Sequence, residues 1–182
     1  MDIGAHDGIT FSNTYIFEQL GWRGICIEPN PAIFPQLKKN RYCEVSDKAI
    51  CEIDGSVNFI QVGHPGGKGE YTEMLSGIAN KYDIKHMSRV IKESAQQGVQ
   101  MKNLKIDGAR FNSVVSEKNI DYLSIDVEGS ELDIISVIPF DQYNIKVISI
   151  ENNFRDAAIN DVLISAGFKL CNIMDADYIF CK

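Results

Sequence analysis

Apolar residues in this chain fall into short runs, alternating with stretches of helical spacing, in the order of an α/β domain. Residues 121–125 and 145–150 are nearly continuous apolar runs, as expected of strands inside a sheet covered on both faces. Further strands are predicted at 23–27, 42–46 and 57–62. Phe11, Ile16, Phe17 and Leu20 share one side of a predicted helix over 10–20, which Gly21 ends. Pro31 suits the first turn of a helix over 32–40, and further helices are predicted at 130–137 and 156–166, with Asp156 as a capping residue. Residues 170–173 and 178–181, joined by MDAD, read as a terminal antiparallel pair. The stretch 63–77, with HPGGKGEYTE, has no apolar period and reads as a loop; its part from His64 to Ser76 is a candidate lid, and a basic, polar helix over 81–97 follows. Only Met1 precedes Asp2, so the chain is expected to begin inside its first strand.

Composition narrows the class. The 182 residues, 45% hydrophobic and 24% charged, suit one globular domain spanning 1–182. No apolar run approaches the roughly 20 residues that cross a bilayer, so a membrane is not an expected partner. Given a complete N-terminus, the expected compartment is cytoplasmic. Five cysteines without C-x-x-C spacing argue against a disulfide framework or structural zinc, and most are expected to be small core residues. A net charge of −7 and the lack of a basic stripe argue against nucleic acid, as does the absence of a D/N-P-P-Y motif.

The run DIGAHDG (2–8) followed by CIEPNP (26–31) carries the first chemistry. It is a strand, a glycine-rich turn, a helix and a second strand ending in an acid, with Glu28 lying 20 residues after Gly8. Such a turn lets a ligand approach the backbone while the acid meets ribose hydroxyls. A dinucleotide fingerprint requires a second glycine where this chain has His6, because a pyrophosphate must press against the backbone there. S-adenosylmethionine (SAM) has no pyrophosphate and still needs the acid, so SAM is the expected cofactor. Asp2, Gly4, Ala5, His6, Gly8, Glu28, Pro29 and Asn30 are the expected cofactor-binding residues around this turn, with Asp2 ordering it and Ser46 and Asp47 reaching the adenine edge.

Two later segments, IDYLSIDVEGSELDII (120–135) and VISIENN (147–153), add strands that each end in acids. Together with DIGAHDG, CIEPNP and MLSGIANKYD (74–83), they make the chain resemble the FkbM family of SAM-dependent methyltransferases. The resemblance covers 2–153, and DVEGSE is its most specific part. It implies a Rossmann-like methyltransferase fold: a mostly parallel central sheet, helices on both faces and a C-terminal antiparallel strand pair. It also implies O-methylation of a small molecule or sugar. Family members differ in acceptor, so the resemblance fixes the donor better than the substrate.

In a parallel sheet the strands' C-terminal ends share one edge, so Asp2, Glu28, Asp126 and Glu151 should gather at one crevice. A hydroxyl acceptor must lose its proton as the bond forms, and a positioned base helps. Asp126, Glu128, Glu131 and His6 are the catalytic candidates, and Asp126 is also expected to touch cofactor. A divalent metal is possible but not favoured: Asp126 and the pair Glu151-Asn152 stand roughly where metal-dependent catechol O-methyltransferases place oxygen ligands. The competing readings are an inactive methyltransferase-like interaction domain and, weakened by the missing glycine, a nicotinamide-dependent oxidoreductase.

Overall fold

A computed structural model describes residues 1–64, 72–81 and 84–182. The main sheet has seven strands: β1 (Asp2–Ile3), β2 (Ile25–Ile27), β3 (Glu44–Ser46), β8 (Asn119–Ile125), β9 (Asn144–Glu151), β10 (Lys169–Met174) and β11 (Asp177–Cys181). Their spatial order is β10-β11-β9-β8-β1-β2-β3. The five strands from β9 to β3 run parallel, whereas β11 is antiparallel to β9 and to β10. The expected α/β architecture, with a mostly parallel sheet and a terminal antiparallel pair, is therefore present.

Packing explains the apolar runs. Leu123, Ser124 and Ile125 of β8, and Ile148, Ser149 and Ile150 of β9, are consecutive and all buried, so both faces of the sheet are covered there. The main core joins these strands to Ile134, Ile135 and Ile138 at and just beyond α5 (Glu131–Val137), and to Ile159 and Leu163 of α6 (Ala157–Ser165). Asp156 caps α6, its carboxylate accepting from the Ala158 N–H at 2.9 Å. The five cysteines are free, but only Cys26 is buried, so the expectation of core cysteines holds for that one.

A second, four-stranded sheet has the order β4-β7-β5-β6, from β4 (Ala49–Ile50), β5 (Gly55–Gly63), β6 (Gly77–Ile78) and β7 (Gln100–Ala109). The sequence pattern predicts only β5 among these. The alternation of β7 is mostly polar and its first eight residues stay outside the core, so its pairing with β5 has little apolar signature. Within the expected loop, Thr72–Leu75 forms a 3-10 turn and Gly77–Ile78 a strand; residues 65–71 of the candidate lid lie outside the described residues. α3 (Ile84–Gln97) matches the expected polar helix, and α2 (Phe34–Asn40) and α4 (Phe111–Val114) complete the helices with α1 (Tyr15–Gln19).

α1 is much shorter than the expected 10–20 helix. The Asp7 carboxylate accepts from the N–H groups of Ile9 and Thr10, and the Ser12 hydroxyl from those of Thr14 and Tyr15. These side chains replace helical hydrogen bonds with local turns. Phe11 lies at φ 55°, outside helical geometry.

Candidate active site

A cavity of about 460 Å³ opens at the C-terminal ends of β1, β2, β8 and β9. Asp2, Gly4, Ala5, His6, Glu28 and Pro29 line one side; Asp126, Glu128 and Glu151 line another. Ala49, Ile50, Phe59 and Ile78 supply an apolar wall from the second sheet, and Glu73 to Gly77 also line the cavity. Five expected residues do not line it. Gly8 packs against Leu37 and Arg41, and Ser46, Asp47 and Glu131 do not line the cavity. Asn30 is the fifth; it ties Glu28 to Ser76.

The two oxygens of Glu28 are held by backbone: Oε2 accepts from His6 N–H at 2.9 Å and Oε1 from Asn30 N–H at 2.7 Å. Burial nevertheless pushes its carboxyl up to about 7. A carboxylate so placed gains from further donors on the cavity side. Behind it, Asn30 Oδ1 accepts from Ala32 N–H and Gln61 Nε2, and Asn30 Nδ2 donates to Ser76 Oγ. The Ser76 hydroxyl in turn accepts from Val62 N–H. The 73–77 side of the cavity is thus stapled to the end of β2.

Asp2 orders the neighbouring loop through hydroxyls, accepting from Thr14 Oγ1 at 2.6 Å and Ser12 Oγ at 3.4 Å. Arg41, which the sequence analysis does not single out, completes that network. It donates to Glu18 Oε2 at 2.8 Å, to the Gly8 carbonyl at 3.0 Å and to Thr14 Oγ1 at 3.2 Å. It carries no motif signal, because its partners come from a loop about thirty residues away and are assembled only by the fold.

On the β8 side, carboxylates crowd together. One oxygen each of Asp126, Glu131 and Glu151 lie within 4.8 Å of one another. Burial, and then the charges of Glu151 and Glu128, push the Asp126 carboxyl well above its ordinary range; burial and the Glu128 charge push Glu151 up to about 7. Glu128, at φ 57°, pairs with Arg89 of α3 at 2.6 Å. Glu131 is turned under the strand end, where its carboxylate accepts from the N–H groups of Val127 and Gly129. Asn152, adjacent to Glu151, directs its amide to Asp156: Nδ2 donates to the carbonyl and Oδ1 accepts from the N–H.

The family model for the methyltransferase FkbM domain matches residues 2–170 of this 182-residue chain. The chain belongs to the FkbM methyltransferase family. No curated protein and no solved structure matches it. The cavity lies where the parallel strands end and the carboxylates converge. No helix among the described residues is long and apolar enough to cross a membrane.

Proposed function

We propose that this FkbM-family chain is a SAM-dependent methyltransferase acting on a hydroxyl of a small molecule or sugar in the cytoplasm. The observation that carries this reading is Glu28. It is a buried carboxylate at the end of β2, fixed by two backbone amides and lining a cavity large enough for a small ligand. Two ribose hydroxyls donating to its remaining lone pairs would stabilise the charge that burial opposes. The apolar wall of Ala49, Ile50, Phe59 and Ile78 suits a flat heterocycle. These features fit the donor that the family implies.

SAM supplies, when bound, a methyl group on a positively charged sulfur. The protein's work is to align acceptor and donor in the cavity, and to take the proton from the acceptor oxygen as it bonds to the methyl group. Asp126 and Glu151 are placed for the second task. Both line the cavity; burial and neighbouring charge raise the Asp126 carboxyl and lift Glu151 to about 7, which suits proton transfer. Arg89 fixes Glu128 at the rim, where acceptor hydroxyls can find it. A carboxylate base is favoured over the metal arrangement expected for Asp126 with the Glu151-Asn152 pair because the Asn152 amide is turned to Asp156.

Calorimetric titration tests the reading. SAM is expected to bind with micromolar-range affinity while NAD gives no heat. Binding of neither would favour an inactive interaction domain, and binding of NAD alone would favour an oxidoreductase.

A further inference from the structure

The turn after β1 presents an imidazole to which no described residue bonds. His6 lies at φ 48°, in the left-handed region that non-glycine residues enter at a cost, and Glu28 holds its backbone N–H there. His6 is among the residues that line the cavity. Both Nδ1 and Nε2 are buried, and neither has a hydrogen-bond partner among the described residues. A buried polar atom left unpaired is destabilising, and a side chain so placed points to a ligand as its missing partner.

Strand order locates that ligand group. β1 lies between β2, which leads to Glu28, and β8, which leads to Asp126. His6 follows β1 and so stands between the carboxylate assigned to ribose and the carboxylates assigned to the acceptor. The part of the donor that joins ribose to the reacting methyl is its charged sulfur, which must therefore pass near His6.

We propose that the His6 imidazole is the contact by which this cavity favours the positively charged methyl donor over the neutral-sulfur product, S-adenosylhomocysteine. The inference rests on the SAM reading given above. A neutral imidazole offers a nitrogen lone pair to positive charge, whereas a protonated one repels it. Burial keeps the ring below its ordinary pKa even though the carboxylates of Asp7 and Glu73 act in the other direction. Asp7 Oδ1 lies 3.8 Å from Nδ1, Glu73 approaches from the 72–75 turn, and Glu28 holds the backbone of His6 from β2.

His6 protonation should weaken SAM binding more than product binding. Titration of Glu28 cancels in the ratio of the two affinities, because donor and product carry the same ribose. Titration of Glu151 does not cancel, so wild type must be compared with His6→Asn, a residue that tolerates the left-handed backbone. Calorimetry with SAM and with S-adenosylhomocysteine should show the variant losing about tenfold in SAM affinity and less than about threefold in product affinity. The fall in the SAM-to-product ratio toward low pH should also be shallower in the variant. Equal losses for both ligands, or one common pH dependence of the ratio, would overturn the proposal. In wild-type protein, NMR titration of the His6 ring should give a lower pKa in the SAM complex than in the product complex. Equal values there would overturn it without any variant. If wild type bound neither ligand, the SAM reading itself would fall, and this one with it.

Discussion

A Cβ atom at Gly4 would lie 1.7 Å from the carbonyl oxygen of Asp126. The first glycine of the turn is therefore required by the contact between β1 and the end of β8, whatever ligand the turn receives. Gly4 also sits at φ 85°, where any side chain is strained. Gly4→Ala should destabilise the protein by about 3 kcal/mol or more, since the obstructing atom is backbone and cannot rotate away. Urea denaturation would measure this, and a loss below about 1 kcal/mol would show that the strand ends can separate.

Arg41 should matter to the fold nearly as much. Its guanidinium and the Glu18 carboxylate form a buried pair at 2.8 Å, with side chains 3% and 9% exposed. Arg41→Met removes the guanidinium donor from Glu18 Oε2, the Gly8 carbonyl and the Thr14 hydroxyl. Breaking one side of a buried pair costs about 3–5 kcal/mol. Hydrogen exchange should quicken in residues 8–14 before it does in β8 or β9, and uniform exchange would mean that Arg41 does not organise the loop.

These two residues mark the boundary of what could be read from the chain. Strands buried on both faces are legible because their apolar runs need no partner to be recognised: 121–125 and 145–150 fall within β8 and β9. The carboxylates gathered at the cavity are legible for a related reason, since parallel strands carry their C-terminal residues to one edge. The β5–β7 ribbon is not, because its stability comes from a pairing distant in sequence and its exposed positions mask the period. Residues 10–14 show helical spacing, yet the side chains of Asp7 and Ser12 bind the backbone and hold a turn. Arg41 and the Asn30–Ser76 staple depend on contacts that form only in the folded chain.

Glu28→Ala should weaken SAM binding at least tenfold, because charge-assisted hydrogen bonds are worth about 1.5–3 kcal/mol. The variant also leaves the N–H groups of His6 and Asn30 without their acceptor, so its fold should be checked by circular dichroism. Unchanged SAM affinity in a folded variant would remove Glu28 from the site.

Stability of the ligand-free protein should fall as pH rises from about 4.5 to about 7. The carboxyls of Glu28 and Glu151 are raised from 4.5 to about 7 by burial, so over that interval the folded state binds more protons than the unfolded state. Folding is then favoured at the acidic end and disfavoured once both groups ionise. His6 and the Met1 amine, pushed down by burial, oppose this trend, but Asp2, Asp126, Glu131 and Asp177 are all raised and add to it. Melting temperatures measured across the interval should decline with pH. A rising profile would mean that these carboxyls ionise in the folded protein without penalty.

Turnover should depend on the carboxylates after β8 and β9 more than binding does. Asp126→Asn and Glu151→Gln keep size and polarity but cannot take a proton, and a positioned base contributes about 10²- to 10⁴-fold. If Asp126 and Glu151 divide that task, each variant should lower kcat by about 10²-fold or more while SAM affinity changes only a few-fold. Because one of these carboxyls must be ionised to act, wild-type kcat should rise with pH through about 7, the value to which Glu151 is lifted. Activity should also survive EDTA. Loss of activity in the chelator, restored by magnesium, would instead make Asp126 and Glu151 oxygen ligands to a cation.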